Sequence, residues 1–83
     1  MDQTIPELTK KYIGEKTLTE FASGLGVNVK KQSVSQWSNG IHNPSMEILM
    51  TVLYSPQAEG WAKIWASECF AILRRQAMNL SIK

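Results

Sequence analysis

Residues 31–40 read KQSVSQWSNG, from Lys31 to Gly40. At 100° per residue, Val34 and Trp37 fall on one side of a helix, while Gln32, Ser35, Gln36 and Asn39 fall on the other with Lys31 at its edge. The two large apolar residues are enough to seat such a helix on a core. The opposite face is made almost wholly of amides and hydroxyls. A helix that only needs to be soluble draws on Glu and Lys, whereas Ser and Asn are poorer helix formers that prefer caps and turns. Two readings of that face stand at this level: a solvated surface, or one composed to touch something.

Working outward, Asn39-Gly40 supplies a left-handed residue that closes this helix, and Asn28 in VNVKK is placed to cap its start, so the spacing predicts a helix from there to Ser38. Upstream, Thr17 with Glu20 forms a capping-box pattern that opens a helix of about two turns, with Leu18, Phe21, Ala22 and Leu25 as its apolar stripe and Gly24 and Gly26 as breaks. Further upstream, Thr4, Pro6 and Glu7 repeat the pattern, and Ile5, Leu8, Tyr12 and Ile13 follow at helical spacing to Gly14, giving a helix over about 5–13.

Downstream, Ser45 caps a fourth helix with Met46, Leu49, Met50 and Leu53 on one side and Ile48 and Val52 beside them, ending near Tyr54. Ser55-Pro56 repeats the cap-then-proline pattern and predicts a last helix over about 56–80. The expectation is an all-α chain: a single compact domain of five helices over 1–83, with short connections and a long C-terminal helix.

Composition bounds the function. The chain is 43% hydrophobic and 19% charged, which suits a folded globule, and its three Trp residues supply large anchors for a small core. A net charge of +2 permits a nucleic-acid partner without requiring one. One Cys and one His exclude a disulfide framework and a structural zinc site, and Cys69, in an apolar helix, reads as packing. The hydroxyls of Ser33 and Ser35 have no general base nearby in sequence, and no phosphate loop or metal-ligand spacing appears, so neither catalysis nor a cofactor is expected. The opening residues MDQTIPELTK lack the signature of an export signal, and there is no apolar run near eighteen residues. A cytoplasmic, nucleoid-associated protein of a bacterial cell is expected.

The short second helix, a Gly-containing turn and the amide-faced third helix have the order of a helix-turn-helix, whose second helix enters the DNA major groove. Gln can accept from adenine N6 while donating to N7, and Lys can donate to guanine or to a phosphate. The stretch LTEFASGLG followed by QSVSQWSNGIHNPS resembles the helix-turn-helix of the lambdoid phage repressor and Cro superfamily, the XRE family. The likeness rests on Phe21-Ala22, Leu25-Gly26, Val34-Ser-Gln-Trp37, Asn39-Gly40 and Asn43-Pro44-Ser45, covering roughly residues 5–54.

The resemblance implies a lambda-repressor-like domain in which Lys31, Gln32, Ser35 and Gln36 face bases, with Ser33 near the groove. It implies backbone contacts from Asn39, His42 and Asn43, with Lys30, Thr17 and Thr19 as further candidates. The segment between Gly26 and Gln32 is about two residues longer than the family pattern, which leaves open which of Lys30 and Lys31 faces a base. Leu18 also stands where the family often has a polar phosphate-contacting residue.

The last helix carries a wide stripe of Trp61, Ala62, Trp65, Ala66, Cys69, Phe70, Ile72, Leu73 and Ala77, and a separate seven-residue seam of Ile64, Ala71 and Met78. At 1.5 Å per residue it would be roughly 37 Å long and overhang its own domain. A homodimer is therefore expected, with Trp61, Ile64, Trp65, Ala71, Ile72 and Met78 as interface candidates. The functional expectation is a phage- or plasmid-type repressor binding a palindromic operator as a dimer. The alternative is a protein-interaction module, such as an antitoxin or a phage protein that contacts RNA polymerase.

Overall fold

The computed structural model describes residues 4–82. Five helices follow in order: α1 (Ile5–Ile13), α2 (Leu18–Gly24), α3 (Lys31–Ser38), α4 (Met46–Tyr54) and α5 (Gly60–Ile82). The expected all-α, five-helix domain is what forms, and no strand occurs among the described residues.

Three starts obey the local signals. Thr4 and Thr17 each accept from the amide three residues on while Glu7 and Glu20 reach back to the cap amide, and Ser45 Oγ accepts from the Ile48 amide at 3.2 Å. The reciprocal bonds hold the Glu7 and Glu20 carboxyls below the usual carboxylate range, chiefly through the amides of Thr4 and Thr17.

Two starts differ from expectation. Asn28 does not cap α3; the cap position is Lys30, which offers no side-chain bond. Instead Val27 and Val29 both pack against the core, and the Val29 amide donates to the Val27 carbonyl at 3.0 Å, so the chain stays non-helical around Asn28. Ser55-Pro56 does not open α5 either. The Ser55 hydroxyl donates to the Gly26 carbonyl at 2.9 Å and accepts from the Gln57 amide at 3.2 Å, which makes a turn, and the helix begins at Gly60.

The core gathers around Trp65, which is 0% exposed. Phe21 meets it edge-on at 5.3 Å between centroids, Trp37 stacks at 5.6 Å, and Trp61 covers Phe21 at 5.0 Å. A buried indole N–H needs an acceptor, and Thr9 of α1 provides it. Trp65 Nε1 donates to Thr9 Oγ1 at 3.1 Å, and that hydroxyl donates in turn to the Ile5 carbonyl at 2.8 Å. On α4 the inward residues are Leu49 and Val52, with Ile48 and Leu53 half-buried, while Met46 and Met50 are exposed. The expected stripe through Met46 and Met50 is thus rotated off the core: in so apolar a helix, contact with α5 sets the phase.

The α4–α5 connection also fixes the end of α2. Gly24 lies against the Trp61 ring, where a Cβ would overlap it, and its carbonyl accepts from the Glu59 amide at 2.9 Å. Gly26, at φ 70°, sits so close that a Cβ would come within 2.5 Å of the Ala58 amide nitrogen. The turn between α2 and α3 is therefore clamped from behind, and its other side faces outward.

Candidate nucleic-acid interface

Val34 and Trp37 are buried, as their spacing requires, so the opposite side of α3 projects from the domain. On that side Lys31, Gln32 and Asn39 are exposed, and Ser33, Ser35 and Gln36 are half-buried. The half-burial has local causes. Asn39 Nδ2 donates to Ser35 Oγ at 3.4 Å, and the Gln36 carbonyl accepts from the Ile41 amide at 3.0 Å as the chain turns away. His42 and Asn43 lie exposed in that turn, just past the end of α3.

At the other end, Thr19 and Ser23 of α2, Asn28 of the turn, and Lys30, Lys31 and Gln32 line one open cleft of about 430 Å³. It is walled in part by Ala22, Val27 and Val29. The amides of the first turn of α3 have no side-chain cap, in contrast to α1, α2 and α4. Two lysines and the positive end of a helix dipole thus share a polar cleft, an arrangement that favours an anion. No acidic residue lies in the first turn of α3.

Of the expected backbone-contacting residues, the fold brings Thr19 and Lys30 to this cleft with Lys31 and Gln32. Thr17 is placed otherwise. Its hydroxyl accepts from the Glu20 amide at 3.1 Å and its own amide donates to Glu20 Oε1 at 3.0 Å. A carboxylate held charged beside Thr17 would repel a phosphate there, so Thr17 serves the cap. Ser23 and Asn28 are additions. Ser23 was legible, standing four residues after Thr19 on the same helix face; Asn28 depends on the turn conformation.

The residues expected at a dimer interface separate into two groups. Trp65 is fully buried and committed to Thr9, so it is corrected to a core residue. Trp61 is half-buried against Phe21 and Gly24, beneath Lys16 Nζ at 4.7 Å from its ring, and Ile72 packs against the core, so both also serve the monomer. Ile64 and Met78, each 55% exposed, and Ala71 face outward. Cys69 is buried, and that burial pushes its thiol up to about 12, which suits inert packing.

Among the described residues, no group of three or more His, Cys, Asp or Glu side chains is placed to hold a metal ion. No helix among them is long and apolar enough to cross a membrane. Comparison with protein-family models, with curated proteins and with solved structures found no match to this chain.

Proposed function

We propose that this chain is a sequence-reading binder of double-stranded DNA that regulates transcription from an operator with two half-sites. In this reading α3 lies in the major groove. Gln32 and Gln36 bond base edges, Lys31 reaches a guanine or a phosphate, and Asn39, His42 and Asn43 follow the backbone beyond the far end of the helix. The cleft lined by Thr19, Ser23, Asn28 and Lys30 takes a phosphate on the near side. The observation that carries the reading is the amide-bearing outer face of α3, flanked by an uncapped cationic N-terminus at one end and an exposed polar turn at the other. Gln32→Ala and Gln36→Ala should each lose about 1–3 kcal/mol of preference for the selected site while nonspecific binding stays near wild type. Unchanged preference in both variants removes the assignment of this face.

One observation favours a second reading, as a protein-interaction module. Tyr54 is 80% exposed and borders, with Met50 and Val27, an open apolar depression of about 730 Å³. Salt separates the two. A partner held by six to ten phosphates loses about 10³–10⁵ in affinity between 50 and 200 mM salt, whereas an apolar protein contact changes little.

A further inference from the structure

The outer side of α4 carries a row of large side chains that the core leaves uncovered. Met46, Met50 and Tyr54 follow at four-residue intervals, over a rise of about 12 Å, and are 37%, 45% and 80% exposed. Leu49 and Val52, on the other side of the helix, are fully buried and already fill the contact with the core. Three residues of about 200 Å² each, at those fractions, leave roughly 300 Å² accessible, within the range of the largest patch on a typical monomer, which is often functional. Gly26 and Val27 of the α2–α3 turn line one open depression of about 730 Å³ with Met50 and Tyr54, so the row borders a groove.

The groove is charged at one point. Glu47 lines it, no Lys, Arg or His does, and among the described residues nothing bonds the Glu47 carboxylate. Thr51, beside it, is already committed: its hydroxyl donates to the Glu47 backbone carbonyl at 2.8 Å. A lone carboxylate on an apolar groove discriminates among occupants. It repels DNA phosphates and anionic lipid. A second copy docked through this same face would bring a second Glu47 and no cation, and one docked through a different face would build an open chain. A protein segment that supplies its own cation fits both the apolar row and the charge. No strand occurs among the described residues, so there is no sheet edge for an extended segment to join, and a helix laying one stripe along α4 is the matching shape. The residue types suit that use, since unbranched methionine adapts to varied apolar surfaces and Tyr is enriched among residues that dominate interface energetics.

We propose that this groove docks a short amphipathic helix of another protein, roughly two to three turns long, which lays its apolar stripe along Met46, Met50 and Tyr54 and sets a Lys or Arg against Glu47. The groove and its occupant rest on the protein-interaction reading, for which they name the partner's chemistry. Val27 also lines the cleft that holds Lys30 and Lys31, and Ser55, whose hydroxyl bonds the Gly26 carbonyl, lines the groove itself. The docked helix therefore lies against the turn that aims α3, one side chain from the cationic cleft. So small a patch makes a weak, transient contact, below the about 1,200 Å² at which stable complexes begin.

Selection from a random library of helical peptides of about twelve residues, displayed on phage with the full chain as bait, tests this without DNA. The expected result is enrichment of peptides with apolar residues at helical spacing and a Lys or Arg flanking that stripe. A synthetic copy of the leading peptide should lose about thirtyfold or more in affinity with Tyr54→Ala and about two- to fivefold with Glu47→Gln. Both side chains are exposed, so the thermal melt of either variant should stay close to wild type. The same selection on Glu47→Lys should exchange the peptide's Lys or Arg for Asp or Glu. Peptides that are lost in Tyr54→Ala but carry no cation, or are indifferent to Glu47→Gln, overturn the inference and leave the interaction reading standing. Peptides that bind wild type and Tyr54→Ala alike, or a library that returns unenriched, overturn both.

Discussion

Gly26→Ala tests whether the turn that aims α3 is clamped by the α4–α5 connection. Gly26 has φ 70°, and a residue with a Cβ pays about 1–2 kcal/mol to adopt that conformation. The added carbon would also stand 2.5 Å from the Ala58 nitrogen and 2.7 Å from both Gln57 C and Ser55 Oγ, two of them backbone atoms that cannot swing aside. Relief requires the connection to withdraw, which costs about 1–3 kcal/mol as overpacking and strains the bond from Ser55 to the Gly26 carbonyl. The expected total is about 2–5 kcal/mol. Gly40→Ala is the matched control, since Gly40 has φ 75° but its Cβ would meet only Pro6 Cγ, at 3.4 Å. It should lose the conformational part alone, about 1–2 kcal/mol. Urea unfolding of both variants reads the difference, and thermal melts should show about 4–8 °C per kcal/mol in a domain of this size. Equal losses would refute the claim that the turn is pressed against Gln57 and Ala58.

Thr9→Val, which keeps shape and removes the hydroxyl, should cost about 1–3 kcal/mol by leaving the Trp65 N–H unpaired; Trp65→Phe in the same background should show smaller added loss than in wild type, measured as a double-mutant cycle in urea. The Cys69 thiol should resist alkylation in the native protein at pH 8 and react at an ordinary rate once unfolded by denaturant, as followed by mass spectrometry. Acid should destabilise the fold in a definite direction. The Glu7 and Glu20 carboxyls titrate lower folded than unfolded, so their contribution is present above the ordinary carboxylate range and is lost as pH falls through the folded values. The urea midpoint should fall between pH 6 and pH 3, and the fall should be shallower in Thr4→Ala/Thr17→Ala. At the alkaline end, Tyr12 is raised above its usual 10.0, first by its bond to Glu68, so that contribution is complete below pH 10 and is lost as pH rises through the folded value.

What was legible in the sequence was local. The boxes at Thr4–Glu7 and Thr17–Glu20 and the cap at Ser45 each satisfy orphan amides within three residues, so no distant partner is needed to read them. The phase of α3 was legible because it carries only two large apolar residues. The phase of α4 was marked only by Glu47 and Thr51, one turn apart and both exposed opposite Leu49 and Val52, and the apolar residues crowding that narrow stripe, Met46, Ile48, Met50 and Leu53 among them, obscured it. Ser55-Pro56 misled for a tertiary reason: its hydroxyl bonds Gly26, 29 residues away, and not the start of a helix. Thr9 was invisible as a core residue because the donor that justifies its burial lies 56 residues along the chain. On the candidate interface, Gln32 and Gln36 follow from periodicity alone. Asn28 and the cleft depend on Val27 and Val29 both turning inward, a choice made by packing.

The most direct test of the account is selection of bound duplexes from a random DNA pool by the full chain at low salt. The account predicts enrichment of one short motif in inverted pairs about one helical turn apart, with Gln32→Ala relaxing one position of each half-site. A pool that returns unenriched, or the same motif recovered by wild type and Gln32→Ala alike, contradicts the assignment of α3 as the element that reads DNA.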